Sequence, residues 1–413
     1  MNIKILKDKR SCLILAVLCF VMYALVFMTK DMFSSAMASI VEDGVMTKSQ
    51  TGAISAMFWL VYAFCQIAGG FAADRYSPSV LICIGLIGNA LANIVIFFNH
   101  SYVVIMIAWM FAAAAQFGVW PATFKIISTQ IDLNYRHNAL YLIMFAASLG
   151  SMISKLVAAI VPYWKYNFLV SFLILVILLV FWLIVYGYLK TKMVIVTDDS
   201  LIKKQSKLEN KESDLAKKII ATGFICIIAI GVFRNTVGRA IAMLTPTILM
   251  ESYTQLSAST ATILSIIMVL FSMIGLLMFR FIQMKITKNE IIAIMGLFVC
   301  CIPLLFLSSF VGNLHYMYVL ISLSVCSLFF NIAGSFSDYI PMRYVSFGKS
   351  GTVAGVLNCA AGLGNVFASY VFAYMAEFLP WRIVIFAWIV LLMVGIVLCL
   401  SIIKRWNSFI GIK

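Results

Sequence analysis

Long apolar stretches separated by short polar segments follow one another along almost the whole chain. Because a helix needs ~20 apolar residues to cross ~30 Å of hydrocarbon, each such stretch predicts a membrane-spanning helix. Charged residues, Pro, Asn and Gly mark the breaks between twelve predicted spans. The spans are 11–40, 51–73, 79–98, 102–130, 139–161, 166–189, 218–250, 257–281, 290–310, 315–337, 350–375 and 381–403. The pattern therefore predicts an all-α membrane protein with twelve transmembrane helices.

The longest polar stretch, 190–217, separates the first six predicted spans from the last six. We interpret it as a cytosolic linker between an N-terminal six-helix bundle, 1–189, and a C-terminal six-helix bundle, 218–413. Transporters made of two similar halves share this plan, and their substrate site lies near the middle of the membrane between the halves.

Each half has a cation inside its first predicted span and an acid twelve residues later. The pairs are Lys30 with Glu42 and Arg239 with Glu251. A charge near the bilayer centre costs at least ~2.5–3.5 kcal/mol on insertion scales, so it is retained mainly where it meets water, a partner or a ligand. The repeated spacing indicates two pseudo-symmetric bundles and predicts a cavity that binds an anion.

The composition supports a membrane protein and excludes most other classes. Of 413 residues, 64% are hydrophobic and 11% are charged, which is more apolar surface than a soluble domain can bury. Lys and Arg are concentrated on the side of the N-terminus, which predicts a multi-pass protein of the cell (inner) membrane with both termini cytoplasmic. No soluble domain carries the net charge of +15, so we predict no nucleic-acid partner.

Residues for catalysis or metal binding are not grouped in the sequence. The three His lie at the ends of predicted spans, and the ten Cys lie in apolar runs without a CxxC or Cys/His grouping. We therefore predict no enzyme activity, no catalytic residues, no metal and no cofactor. The expected partners are a small anionic substrate and the lipid bilayer, and the expected state is a monomer.

Cations outnumber acids inside the predicted spans. The embedded cations are Lys30, Lys125, Lys155, Arg234 and Arg239, whereas Asp31 is the one acid away from the span ends. Cations in a water-filled cleft raise the local concentration of anions, although each could instead extend toward the membrane surface. With polar and aromatic neighbours included, the candidate substrate-binding residues are Lys30, Arg239, Arg234, Tyr23, Phe27, Tyr62, Gln66, Asn235, Asn358 and Lys155.

The loop between predicted spans 2 and 3 has the pattern of a transporter motif. Its sequence, Gly70-Phe-Ala-Ala-Asp74-Arg75-Tyr-Ser-Pro78, resembles the loop motif of the major facilitator superfamily. The resemblance implies the major facilitator fold and a gating role for Asp74 and Arg75. Asp74 can accept hydrogen bonds at a neighbouring helix N-terminus, and Arg75 can pair across a cytosolic gate.

Within that superfamily, several motifs in order resemble the organophosphate:phosphate antiporters. Lys30-Asp-Met-Phe resembles the antiporters' Arg-Lys-Asn-Phe, which places Lys30 where they have a phosphate-binding arginine. Gln116-Phe-Gly-Val-Trp-Pro resembles their Gln-Gly-Met-Gly-Trp-Pro. Thr245-Pro-Thr resembles their Ser-Pro-Thr, and Arg239 matches their second phosphate arginine with an offset of one residue. The offset keeps Arg234 as a competing candidate.

Three positions depart from the antiporter pattern. Gln66 stands where the antiporters have a lysine, Ala147 where they have a histidine, and Lys30 where they have an arginine. Arginine presents a planar fork to phosphate or carboxylate, whereas lysine is a point charge. With these departures, the site suits a carboxylate substrate at least as well as a phosphate ester.

The expected function is secondary active transport of a small organic anion by alternating access. Importing one negative charge against an inside-negative potential costs ~2.3 kcal/mol per 100 mV, so uptake needs exchange or a cotransported cation. Because Asp31 is the only deep carboxylate expected, we favour anion exchange, with proton- or sodium-coupled symport as the alternative. A drug exporter usually needs buried acids, and a non-transporting membrane receptor gives no reason for cations in both halves, so both are less favoured.

Overall fold

The computed structural model describes residues 2–161, 163–197, 222–287, 289–347 and 350–411. In the first half the strands and helices are β1 (Asn2–Ile5), α1 (Lys9–Glu42), α2 (Lys48–Arg75), α3 (Pro78–Phe98), α4 (Tyr102–Ala115), α5 (Val119–Gln130), α6 (Leu133–Met144), α7 (Ala146–Ile160), α8 (Trp164–Thr191) and β2 (Val194–Thr197). In the second half they are α9 (Phe224–Ser252), α10 (Ala258–Leu264), α11 (Ile266–Lys285), α12 (Glu290–Ser308), α13 (Tyr316–Tyr339), α14 (Ser350–Phe378) and α15 (Trp381–Ile410). Short 3-10 segments cover Gln116–Gly118 and Ile340–Phe347.

Most of these helices are long and apolar enough to cross a membrane. Over the residues that the structure describes, ten helical stretches meet this condition, counting α4 with α5 and α10 with α11 as one stretch each. The remaining helical regions, α2 and α6 with α7, coincide with the second and fifth predicted spans. The all-α membrane fold is thus confirmed, and the described helices are consistent with twelve spans.

The fourth predicted span is interrupted inside the membrane stretch. The 3-10 segment Gln116–Gly118 separates α4 from α5, and Pro121 follows it in the first turn of α5. Proline has no backbone N–H, and its ring collides with the carbonyl four residues earlier, here that of Phe117. A continuous α-helix through this stretch is therefore unfavourable, which the hydropathy pattern did not indicate.

The N-terminal residues form a strand that the hydropathy pattern does not predict. Strand β1 pairs antiparallel with β2, so that Asn2 lies opposite Thr197 and Ile5 opposite Val194. Val, Ile and Thr favour a pleated strand, and these residues make up all of β2. Part of the predicted linker is therefore a strand, while its residues 198–217 lie outside the described residues.

A side-chain cap precedes α1. The Asp8 carboxylate accepts hydrogen bonds from the backbone N–H and the hydroxyl of Ser11, both at 3.0 Å. These bonds stabilise the charged carboxylate, and the backbone bond is the larger cause of the lowered pKa of Asp8. The cap satisfies a backbone donor that the first turn of a helix otherwise leaves without a partner.

Internal contacts divide the chain into two compact units. The first unit contains Met1–Ala36 and Val61–Leu208, and the second contains Met37–Leu60 and Glu209–Lys413. The end of α1, the following loop and the start of α2 therefore pack with the second half of the chain. The predicted bundles at 1–189 and 218–413 stay a prediction, because much of the stretch between them lies outside the described residues.

Small residues allow helices to cross closely within the first unit. A Cβ at Gly150 of α7 would overlap the Ala24 carbonyl of α1, and a Cβ at Gly69 of α2 would overlap the Phe117 carbonyl. Such contacts between helix backbones are typical of membrane proteins, because van der Waals packing rather than water exclusion drives helix association in lipid. The crossing at Gly150 brings α7 against the part of α1 that contains Lys30.

The core of the second unit includes buried side chains of α9, α12, α13 and α15. Large buried side chains there include Phe298, Phe336 and Trp388, each at most 1% exposed. Helix α14 approaches α9 at Gly364, where an added Cβ would lie 2.6 Å from the Val232 carbonyl oxygen. This packing positions the polar residues of α9 described below.

Candidate functional site

Lys30 lies against aromatic rings inside the first unit. Its ammonium nitrogen is 3.4 Å from the ring centroid of Tyr62 and 5.1 Å from that of Phe27. Only 6% of the Lys30 surface is exposed. The face of an aromatic ring attracts a cation, and the attraction strengthens when water is excluded. Phe27 precedes Lys30 by three residues on α1, whereas Tyr62 reaches it from α2.

Other predicted ligands join the same aromatic cluster. The Tyr23 ring lies 5.9 Å from Phe27 and 4.9 Å from Trp120, measured between centroids. Gln66 follows Tyr62 by four residues and therefore lies one turn further along the same face of α2. The first unit thus brings together one ammonium group, two phenols and an amide. Trp120 was quoted only as part of a motif, and its contact with Tyr23 depends on packing between α1 and α5.

Polar side chains also line the crossing of α1 and α7. The Ser151 hydroxyl donates to Asp31, and the Ser154 hydroxyl donates to Ser35 at 2.9 Å. Lys155, a predicted ligand, follows Ser151 by one helical turn and is 7% exposed. The Asp31 carboxylate is therefore part of a helix interface, where hydrogen bonding compensates for its burial.

Arg239 contacts an aromatic ring in the second unit. Its guanidinium carbon lies 5.0 Å from the ring centroid of Trp59, which belongs to the part of α2 that packs with this unit. Trp59 does not stand out in the sequence, because the spacing along the chain gives no indication that α2 and α9 meet there. In each unit, one cation predicted to bind the substrate thus lies over an aromatic ring, Lys30 over Tyr62 and Arg239 over Trp59.

Arg234 has different surroundings from Arg239. The two are five residues apart, which places their side chains about 140° apart around a helix. The Arg234 Nη2 donates to Asn235 Oδ1 at 3.0 Å. Arg234 and Asn235 line a pocket with a cavity volume of about 20 Å³, together with Asn358 of α14 and Asp338 of α13. One or two water molecules fit a volume of this size.

Asp338 is a pocket-lining carboxylate that was not selected from the sequence. The tenth predicted span ended at 337, but α13 continues to Tyr339, so Asp338 lies in the helix and lines the pocket. Hydropathy does not mark the end of a span clearly where polar residues of the span face an internal cavity. Nothing in the sequence pairs Asp338 with Arg234, because the two residues lie on different helices.

Of the two predicted gating residues, the structure describes one side chain. Arg75 is exposed at the end of α2. The side chain of Asp74 lies outside the described residues. The gating role of both residues stays a prediction.

A second polar cluster connects the first turn of α2 with the ends of other helices in the second unit. The Glu251 carboxylate accepts from Lys48 Nζ at 3.1 Å and from the Trp381 indole N–H at 2.9 Å. The Ser49 backbone N–H donates to the Glu377 carboxylate at 2.7 Å. In the sequence Glu251 stands out only through the repeated spacing, whereas in the structure its carboxylate binds Lys48 and Trp381. The cluster docks the first turn of α2 onto α9, α14 and α15.

Gly52 sets how closely α2 docks in the second unit. A Cβ at this position would overlap the Ser369 carbonyl and the Ala373 side chain of α14. We therefore expect Gly52→Val to destabilise the protein by about 1–3 kcal/mol, the usual cost of overpacking. The thermal unfolding midpoint of the purified protein in detergent, measured by tryptophan fluorescence, checks this expectation.

Two variants control the Gly52 experiment. Gly187→Val should leave the midpoint nearly unchanged, because nothing lies within 4 Å of a Cβ at Gly187. Glu251→Gln should cost no more than about 1 kcal/mol, since partly exposed ion pairs contribute little. Equal midpoints for Gly52→Val and Gly187→Val would contradict the close docking.

The helices, embedded cations and aromatic contacts are those of a multi-pass membrane protein of the transporter class. The family model described as Major Facilitator Superfamily matches residues 19–369, so the chain belongs to that superfamily. Members of such a family move small molecules across membranes, which agrees with the fold class predicted from the sequence.

Comparisons with curated proteins give short matches. The chain is 29% identical over 94 residues to the membrane sensor protein UhpC of Escherichia coli (strain K12), covering 23% of this chain and 21% of that protein. It is 25% identical over 109 residues to a probable hexose phosphate transport protein of Chlamydia pneumoniae, covering 26% and 24%. The match therefore spans only about a fifth to a quarter of these relatives.

Comparisons with solved structures extend over nearly the whole chain. A bacterial homolog of the human lysosomal transporter Spinster, in an inward-facing unoccupied conformation, superposes with a TM-score of 0.79 at 14% identity, covering 97% of this chain and 99% of that one. The D-xylose–proton symporter superposes with a TM-score of 0.72 at 13% identity, covering 94% and 97%. At this identity the likeness shows the fold alone.

Proposed function

We propose that the chain transports a small organic anion, either a phosphate ester or a carboxylate, by alternating access. The observation that carries the proposal is the pair of cations on aromatic faces, Lys30 over Tyr62 in the first unit and Arg239 over Trp59 in the second. Each unit thus contains a positive charge that can attract an anion. Membership in the superfamily supplies the transport function, and the charges select the substrate class.

The chemistry around Lys30 suits an anion that also carries hydroxyl groups. The ammonium group provides charge, while the Tyr62 hydroxyl and the Gln66 amide provide neutral hydrogen-bonding groups nearby. Sugar phosphates and hydroxy acids combine an anionic group with hydroxyls. The similarity to a probable hexose phosphate transport protein supports the same substrate class.

Exchange of one anion for another is the basic mode that we propose. An exchanger avoids moving net charge against the membrane potential, which would cost ~2.3 kcal/mol per charge per 100 mV. The proposal includes a monomer with both termini cytoplasmic, as the distribution of Lys and Arg favours. Because uptake of an anion without exchange would move net negative charge across the membrane, we expect uptake to require an anion on the other side that can leave in exchange.

Counterflow tests the proposed function directly. Proteoliposomes containing the purified protein are preloaded with a hexose phosphate, glycerol phosphate or a hydroxy acid, and entry of the same labelled anion is measured. We expect entry to be stimulated by internal anion and not by an internal neutral sugar. Absence of stimulation with every anion tested, from a protein that is monodisperse after purification, would rule out the proposal.

The match to a membrane sensor protein favours one second candidate, an anion receptor that does not transport. A receptor would bind the anion through the same cations and would show no counterflow. Ligand-induced thermal stabilisation without counterflow would support this alternative, whereas counterflow excludes it.

A further inference from the structure

A cavity separates the first turns of α1 from α6 within the first unit. Its volume is about 440 Å³, which lies in the ~300–1,000 Å³ range of small-molecule sites. The two helices begin side by side, because the Leu6 backbone N–H donates to the Gln130 carbonyl at 2.8 Å shortly before them. The chain meets α1 again at Gly150 of α7. The cavity therefore occupies the gap between two points of contact.

The part of the cavity at the helix starts carries polar groups. Lys9 is the first residue of α1, and Tyr135 and Asn138 lie in the first two turns of α6. Lys9 and Asn138 are exposed. An ammonium group, a phenol hydroxyl and a carboxamide can each donate to a phosphate oxygen. This end of the cavity therefore suits a phosphate group.

Further along the two helices the lining is apolar. It is formed by Leu13 and Ala16 of α1 together with Leu142 and Phe145. Leu13 is 59% exposed, and Val17, one turn further along α1, is 43% exposed. A sugar phosphate gains little from such walls, because its hydroxyl groups would lose water without finding partners. A hydrocarbon chain gains from them.

The length of the cavity corresponds to one leaflet of a bilayer. From Lys9 to Ala16 the chain rises ~10 Å, and from Tyr135 to Phe145 it rises ~15 Å. Half of the ~30 Å hydrocarbon thickness is ~15 Å. Lys9 directly precedes the predicted span 11–40. The polar end therefore belongs at the membrane surface and the apolar end inside one leaflet.

Positive charge predominates at the polar end. In the described part of the chain, the charged side chains that neighbour Lys9 or Tyr135 in sequence are the cations Lys7, Arg10 and Arg136 and the acids Asp8 and Asp132. Both acids are engaged in helix caps, because Asp8 accepts from Ser11 at 3.0 Å and Asp132 accepts from the backbone N–H two residues later at 2.9 Å. Basic residues at a membrane surface attract anionic lipid headgroups.

We propose that this cavity binds an anionic phospholipid of the bilayer, with the phosphate at Lys9 and one acyl chain between α1 and α6. An unfilled apolar gap would forfeit dispersion contacts on both walls, and hydrocarbon restores them. Lys30 and Arg239 do not line this cavity, so the lipid site is separate from the cations proposed to bind the transported anion. The inference does not depend on the transport proposal.

Native mass spectrometry of the purified full chain in mild detergent tests the headgroup contact. Equal amounts of phosphatidylglycerol and phosphatidylcholine with the same acyl chains are added, and the bound lipid is identified by its mass. We expect the unmodified protein to prefer phosphatidylglycerol. Lys9→Gln should reduce this preference about 5-fold, the equivalent of ~1 kcal/mol for one basic residue at a membrane surface.

The matched control for the headgroup contact is Arg10→Gln. Arg10 is exposed and adjacent to Lys9 but does not line the cavity. Its substitution should change the lipid preference by less than about twofold, because salt screens an exposed charge that does not contact the lipid.

Leu13→Trp tests the place of the acyl chain. Tryptophan at this exposed position should fill part of the cavity and displace at least two CH₂ groups of the lipid. We expect binding of both lipids to fall more than about 10-fold, since each buried CH₂ group contributes ~0.8 kcal/mol. Val17→Trp, at an exposed position outside the lining, is the control and should bind lipid like the unmodified protein.

Several outcomes would overturn the inference. They are equal lipid preference in Lys9→Gln and Arg10→Gln, equal lipid binding by monodisperse Leu13→Trp and Val17→Trp, and retention of neither lipid by the unmodified protein. Loss of counterflow in Lys9→Gln with unchanged lipid binding would also overturn it, because Lys9 would then act on the transported anion. The expected lipid binding by a protein without counterflow would support the lipid site and remove only the proposed transport function.

Discussion

Replacing Lys30 by glutamine should reduce anion counterflow to background. Losing one partner of a desolvated charge interaction typically costs 2–5 kcal/mol, which corresponds to a loss of affinity of more than about 30-fold. Lys30 is 6% exposed and lies over the Tyr62 ring, so the charge that is removed is desolvated. Counterflow of a labelled hexose phosphate or hydroxy acid at several concentrations measures the effect.

Two variants make the Lys30 result specific. Lys192→Gln removes a lysine that also lies near an aromatic ring, 4.7 Å from the Tyr188 centroid, but in an exposed position at the end of α8. It should leave counterflow unchanged. Lys30→Arg keeps the charge and should retain part of the activity. Normal transport by Lys30→Gln would show that Lys30 is not a substrate ligand.

Replacing Arg239 by glutamine should have an effect of the same order. The guanidinium lies 5.0 Å from the Trp59 ring centroid and supplies the second of the two proposed charges. We expect an increase of more than about 30-fold in the anion concentration needed for half-maximal counterflow. Arg239→Lys should be less affected, since it keeps the charge and loses only the planar fork.

The matched control for Arg239 is Arg382→Gln. Arg382 also lies near aromatic rings, 5.6 Å from Phe310 and 5.7 Å from Phe386, but is exposed at the start of α15. It should behave like the unmodified protein. If Arg234→Gln abolished substrate binding while Arg239→Gln did not, Arg234 would replace Arg239 as the ligand of the second half.

The helices could be predicted from the sequence because lipid imposes a simple condition on each segment. A span must be apolar and ~20 residues long, whatever its neighbours are. The predicted span 102–130 coincides with the helical stretch Tyr102–Gln130. The 3-10 interruption before Pro121 was missed, since it changes the backbone without changing hydropathy. The β1–β2 ribbon was missed because its two strands lie far apart in the chain.

The candidate site was predicted only in part. Phe27 and Lys30 share a face of α1 by their spacing, and spacing alone was enough to group them. Trp59 and Asp338 were not selected, because their importance depends on contacts with Arg239 and Arg234 across different helices. Helical periodicity relates residues within one helix and says nothing about which helix lies beside it.

The sequence by itself determined that this protein is an all-α membrane protein with an excess of embedded positive charge, because hydropathy and charge are properties of each residue. Only the tertiary structure decided which rings surround Lys30 and Arg239, and that Arg234 shares a pocket with Asp338. The physical reason is that solvation of a charge depends on its neighbours in space. Packing brings those neighbours from helices that are distant in the chain.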